Sequence, residues 1–139
     1  MVDDVPENLD LVRRTLEGVG CEVLVATTGE RGLETARNQV PELILLDVML
    51  PGMDGFEACS RLKQEAATHS IPIIFLTALD DIEHLATGFA AGGDDYITKP
   101  FRQEEVLLRV GVHLERARLQ LALQEKNRQL EEEIERRND

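Results

Sequence analysis

Leu43 to Leu46 is an unbroken apolar run that stops at Asp47, and Ile73 to Leu76 repeats the arrangement before Thr77. Such runs are expected of parallel strands covered by helices on both faces, because no solvent-facing side remains for polar residues to occupy. Amphipathic stretches lie between them. Leu9, Val12, Leu16 and Val19 recur at helical spacing behind Pro6, and Gly18 and Gly20 close that element. Cys21 to Ala26 reads as a strand, and Thr27 with Glu30 has capping-box spacing for a helix to about Asn38. Pro51, Gly52 and Gly55 make a turn before a helix marked by Phe56, Cys59 and Leu62. Asp81 to Ala91 is a fourth helix, ending at Gly92 and Gly93, and Tyr96 to Thr98 a last short strand. The alternation βαβα predicts an α/β fold: a flavodoxin-like, doubly wound, five-stranded parallel sheet of order 2-1-3-4-5.

The first strand is the weak member. Only Met1 and Val2 precede Asp3, where an average strand has about five or six residues. Strand 1 is central in that order, so the expectation is a truncated strand, with reduced stability or strand borrowing from a neighbouring chain.

Length allows one domain of ordinary size plus an appendage, here residues 1–114 as the domain and 115–139 as an extended helix. The net charge of -12 is uneven: residues 1 to 114 hold 20 acids against 9 bases, and residues 115 to 139 hold 7 against 6. An acidic surface repels phosphate backbones, so direct nucleic-acid binding is not expected. No apolar stretch is long enough for a membrane span and no signal peptide is evident, so the expected location is cytoplasmic. Cys21 and Cys59 lack a CxxC or metal spacing and read as reduced thiols, and His69, His84 and His113 lack zinc-site spacing.

In a doubly wound sheet, ligands bind beyond the carboxyl ends of the strands. Those ends carry Asp3 and Asp4, Asp47, Thr77 and Ala78, and Lys99 with Pro100. Three carboxylates beside one lysine raise one another's pKa unless a cation joins them, and hard oxygen ligands favour Mg²⁺.

The segments VDDVPEN, LILLDVMLPGMDGFE, IPIIFLTA and DDYITKPF, over about residues 2 to 112, resemble the four signature stretches of response regulator receiver domains, in order and at family spacing. The resemblance implies that Asp47 accepts a phosphoryl group from a phosphohistidine on a sensor histidine kinase or phosphotransfer protein. It implies Mg²⁺ held by Asp4 and Asp47, by the Met49 carbonyl, and by Asp3 largely through water. Lys99 would pair with a phosphoryl oxygen, and the Lys99–Pro100 bond would be cis. Thr77 and the Ala78 N–H would receive the phosphoryl oxygens, with Tyr96 turning inward as Thr77 moves. Such a domain catalyses only its own phosphorylation and dephosphorylation and is otherwise not an enzyme. Met49 and Leu79, apolar where the family varies, imply slow self-hydrolysis. Taken singly, Asp47 could be a cap, Lys99 a surface charge and Tyr96 edge packing.

From Arg102 the pattern is helical for about 35 residues, or roughly 52 Å. Leu107, Val110, Leu114, Ala117 and Leu121 form one stripe; Leu119, Leu123, Asn127, Leu130 and Ile134 form an offset second. The offset is that of a coiled-coil stutter, and Asn127 sits where a buried Asn fixes the register of a dimer. A homodimer through this helix is expected, with a solvated linker as the alternative. It resembles connectors to output domains, so an output domain is missing from this stretch, and no helix-turn-helix reader follows. A dehalogenase-type phosphatase would need an acid where Met49 stands. A degenerate receiver serving as a coiled-coil adaptor remains the rival reading.

Overall fold

The computed structural model describes residues 1–78 and 82–138, apart from the side chains of 82–84. Its elements run α1 (Pro6–Glu17), α2 (Gly29–Gln39), β1 (Ile44–Asp47), α3 (Gly55–Gln64), β2 (Ile73–Ala78), α4 (Ile82–Ala90), β3 (Asp95–Lys99) and α5 (Gln103–Asn138). Leu79 and Asp81, the latter the expected start of α4, lie outside the described residues.

Among the described residues the sheet has three parallel strands, in the order β1-β2-β3. The five-strand expectation is therefore corrected in extent. Val2 makes isolated parallel bridges to Ala26 on one side and Leu46 on the other, which is all that forms of the first two expected strands. Residues 21–25 make no ladder; the bonds beside them are Met1 N to Leu24 O, Ala26 N to Met1 O and Asp3 N to Ala26 O. The spatial sequence Ala26, Val2, Leu46 still follows the expected 2-1-3 arrangement.

Alternation along the buried strands feeds two cores. Ile44, Leu46, Ile73 and Phe75 pack with Leu33, Ala36, Ala58, Cys59 and Leu62 of α2 and α3. Leu45, Ile74, Leu76 and Ile97 pack on the other face with Val12 and Leu16 of α1 and Val106 and Val110 of α5. Burying one such side chain contributes about 1.5–3 kcal/mol. Helix starts agree with local chemistry: Asp54 Oδ1 accepts the Glu57 N–H at 2.8 Å to cap α3. The cap of α2 is Thr28 rather than Thr27, because Thr28 is the extended residue whose hydroxyl accepts the Arg31 N–H at 3.2 Å. Val19, placed in the first helical stripe, falls beyond the end of α1 and is exposed.

The final helix is one unbroken element of 36 residues. Its docked part is short. Val106 and Val110 are buried, and Leu107 and Leu114 pack at the margin, while Arg118 pairs with Glu42 at 2.8 Å. From residue 119 onward every described residue is exposed. Of the first stripe, Val110 is buried and Leu121 is 65% exposed, while Val106, which the stripe did not include, is buried beside Val110.

Candidate functional site

The site forms where β1 and β3 end beside Val2, because each strand delivers a polar residue at its carboxyl end. Gly55 makes one of these approaches possible. A Cβ there would lie 2.2 Å from the Asp47 carbonyl oxygen, so only glycine lets the start of α3 close against the strand end. The Gly55 N–H donates to the Val48 carbonyl at 3.0 Å and pins the intervening loop.

Asp3 and Asp47 are buried, 0% and 2% exposed, while Asp4 is exposed. One carboxylate oxygen from each of the three lies within 4.8 Å of the others. Asp3 Oδ1 accepts the Val5 N–H at 2.9 Å and its Oδ2 the Asn8 amide at 3.2 Å. Asp47 Oδ1 accepts the Met49 N–H at 3.0 Å. Lys99 comes from β3, two strands away, and its Nζ donates to Asp47 Oδ2 at 2.8 Å. The same nitrogen is 3.7 Å from Asp3 Oδ2. Burial pushes the Asp47 carboxyl above its ordinary pKa and the Asp3 charge adds to this, against the Lys99 and Met49 hydrogen bonds.

Three acceptor-only carboxylates served by a single ammonium leave lone pairs and negative charge in excess. That donor set fits a hard divalent cation with oxygen ligands, and Mg²⁺ is such an ion. Asn8, which the sequence reading passed over, holds Asp3 in place; its position in the first turn of α1 behind the acidic pair was the available signal.

Thr77 is buried and its hydroxyl donates weakly to the Ala78 carbonyl at 3.4 Å. Register places Asp47 opposite Leu76 and Lys99 opposite Ala78, so Thr77 and Ala78 stand at the strand end between the acid and the lysine. Met49 is 71% exposed beside Asp47. Tyr96 is half-buried on β3 and meets Phe89 of α4 edge-on, with ring centroids 6.2 Å apart. The Lys99–Pro100 bond is cis.

A family model described as the response regulator receiver domain matches residues 1–111. The chain belongs to that family. This places the receiver in two-component, phosphorylation-dependent signalling. It is 46% identical over 116 residues to the DNA-binding dual master transcriptional regulator RpaA of Synechocystis, a match covering 84% of this chain and 48% of that protein. It is 40% identical over 135 residues to the alkaline phosphatase synthesis transcriptional regulatory protein PhoP of Bacillus subtilis, covering 96% of this chain and 55% of the relative. The receiver spans about half the length of those regulators. Among solved structures, a CheY-like response regulator receiver domain protein from Methanospirillum hungatei superposes with a TM-score of 0.80 at 29% identity, covering 86% of this chain and 94% of that one. The receiver domain of NtrX from Brucella abortus gives 0.77 at 28% identity, covering 82% and 95%.

Two polar features of the receiver were missed or misjudged from sequence. His113 was expected on the surface, yet its ring nitrogen Nε2 is 2.9 Å from Asp95 Oδ2 and its side chain is only 11% exposed. Arg109 joins the same carboxylate at 2.9 and 3.0 Å. Periodicity marks the apolar face of α5 but says nothing of a partner at the start of β3. Cys21 and Cys59 are both free thiols, as expected; burial pushes the Cys59 thiol up to about 11, which makes it inert at neutral pH. The His84 side chain lies outside the described residues. No described helix is long and apolar enough to cross a membrane.

Proposed function

We propose that this receiver is a phosphorylation switch in which Asp47 takes a phosphoryl group from a phosphohistidine on a sensor histidine kinase or phosphotransfer protein. The observation that carries this is the contact of one lysine with the most buried pair of strand-end carboxylates, Asp47 at 2.8 Å and Asp3 at 3.7 Å. In the reaction an Asp47 carboxylate oxygen forms the new O–P bond, the donor's P–N bond breaks, and the leaving imidazole takes a proton. Asp3, Asp4 and Asp47, with the Met49 carbonyl, would hold Mg²⁺, which when bound supplies positive charge to offset the phosphoryl oxygens. Lys99 supplies the second positive charge and keeps Asp47 aligned. Because Lys99 Nζ bonds Asp47 Oδ2 at 2.8 Å, a displacement of Asp47 is felt directly at Lys99.

Phosphorylation replaces one negative charge with about two and adds strong acceptors. Among the described residues Thr77 has a long bond to the Ala78 carbonyl to give up, so its hydroxyl is available to the new oxygens, with the Ala78 N–H as the second donor. Tyr96, in edge contact with the half-exposed Phe89, relays that shift to the α4 surface. The exposed part of α5 carries Leu119, Leu121, Leu123, Leu130 and Ile134 in solvent, and we read it as a homodimer helix with Asn127 setting register and Leu114 at the junction with the domain. A longer protein bearing an output domain beyond α5 fits the half-length match to its relatives.

Transfer is tested by mixing the receiver with a phosphorylated histidine-containing donor. The expected result is loss of label from the donor only with Mg²⁺ present, and retention of label when Asp47→Asn replaces the wild type. The adaptor reading predicts no transfer under either condition.

A further inference from the structure

Six exposed apolar residues of α5 fall into one repeat: Leu108, Val112, Leu119, Leu123, Leu130 and Ile134. Leu108 and Leu119, Val112 and Leu123, Leu119 and Leu130, and Leu123 and Ile134 each stand 11 residues apart, as do Arg116 and Asn127 between them. An 11-residue repeat is about 3.67 residues per turn, close to the 3.6 of an ordinary helix, so these positions hold one stripe for about 39 Å. The stripe starts inside the receiver domain. Leu108 and Val112 are 66% and 52% exposed there, although Val106 and Val110 beside them are buried. Val110 is two residues from both, roughly 200° round the helix, so the stripe looks away from the core.

Charge on α5 divides in the same way. On the side away from the stripe, Arg128 is held within its own helix by Glu125 and Glu132. Along the stripe, Glu115, Arg116, Lys126 and Asn127 have no side-chain partner among the described residues. Polar groups left unpaired in and beside an exposed apolar row are those that select a partner helix and its register.

We propose that this stripe is the seam of a helix pair formed with a second copy of the chain, and that the two helices run antiparallel. The proposal rests on the homodimer reading of α5 given above and adds its face and its direction. Reversing one helix about a point between Leu119 and Leu123 sets Leu108 against Ile134 of the second copy, Val112 against Leu130, and Leu119 against Leu123. Two-fold symmetry makes each of these contacts twice. The same reversal brings Glu115 to Lys126 of the second copy, and the Arg116 guanidinium to the Asn127 side-chain carbonyl, which accepts from it. A parallel pair in register gains the ion pair of Lys126 with Glu131, but it sets Arg116 against its own copy in the seam and leaves Glu115 opposite Gln120. Complementary charge therefore selects the antiparallel direction. The two receivers then stand at opposite ends of the pair, each with the other chain's tail lying on its Leu108 and Val112.

Sedimentation of the full chain tests the pairing. Glu115→Lys and Lys126→Glu are each expected to weaken the dimer roughly tenfold, and together to return it to within about threefold of wild type. Leu108→Ser with Val112→Ser should weaken it as well, although both lie on the docked part of α5. Direction is read by disulfide trapping in a Cys21→Ser background, with Leu119→Cys and Leu123→Cys chains mixed; Cys59 is buried and does not compete. The expected product is the mixed disulfide. Disulfides of each variant with itself would overturn the antiparallel pair while leaving the homodimer reading standing, as would a double reversal no stronger than the single ones. A dimer indifferent to Leu108→Ser with Val112→Ser would confine the seam to the tail and overturn the stripe. A full chain that stays monomeric overturns the proposal and the homodimer reading together.

Discussion

Lys99 Nζ sits 2.8 Å from Asp47 Oδ2 and 3.7 Å from Asp3 Oδ2, a single ammonium serving two carboxylates that are almost fully buried. Buried charges are tolerated only when paired, and removing one partner exposes the whole desolvation penalty of the others. Lys99→Ala is therefore expected to destabilise the protein by about 1–3 kcal/mol in chelator, read from chemical denaturation, with Mg²⁺ recovering part of the loss. An unchanged midpoint would mean that the lysine is not the site's counter-ion.

Asp47 carries a pKa raised first by burial and then by the Asp3 charge. A carboxyl whose folded-state pKa is raised works against folding at any pH where it must ionise. Asp47→Asn should therefore be more stable than wild type at neutral pH in chelator, by about 1 kcal/mol. Mg²⁺ should stabilise the wild type and leave the variant nearly unchanged, closing the gap. Thermal unfolding in the two buffers checks both.

The positions of Asp47, Thr77 and Lys99 were legible because strand ends are marked twice, by an apolar run and by the polar residue that stops it. The register that sets Ala78 opposite Lys99 follows once the strands are known. What sequence could not show was longer in range. The Asp95–Arg109–His113 cluster joins residues 14 and 18 apart in chain, in no periodic relation. The α5 stripes identified apolar faces correctly as apolar, but the same leucines serve packing near Val110 and stand in solvent beyond Ala117, and periodicity alone does not say where docking ends. Around Val2 the described residues show single bridges to Ala26 and Leu46 rather than the ladders expected of a first and second strand.

Asp95 gives an acid-side prediction. Its burial favours the neutral form, but hydrogen bonds from His113, the Tyr96 N–H and Arg109 outweigh that and hold it below the usual carboxylate range. A depressed folded-state pKa contributes stability above the unfolded value of about 3.9 that is lost as pH falls through the folded value. Wild type should lose stability below about pH 4 more steeply than Asp95→Asn, which starts lower at neutral pH. Parallel denaturation profiles across that window would remove Asp95 as a contributor.

From residue 119 onward every described residue of the helix is exposed, so deleting residues 120–139 should cost the domain itself less than about 0.5 kcal/mol. Solution size should respond instead. Sedimentation is expected to show a dimer for the full chain and a monomer for the deletion, with Leu123→Ser and Leu130→Ser together reproducing the deletion. A full chain that sediments as a monomer at all concentrations would make the tail a solvated linker.

The central claim is that Asp47 carries the phosphoryl group and that the acidic pocket needs a divalent cation to let it. Intact-mass measurement after incubation with a small acyl-phosphate donor tests this most directly. The account predicts a gain of one phosphoryl group in wild type with Mg²⁺, none in chelator, and none in Asp47→Asn. A gain that persists in Asp47→Asn, or wild type that gains nothing with Mg²⁺ present, would contradict it.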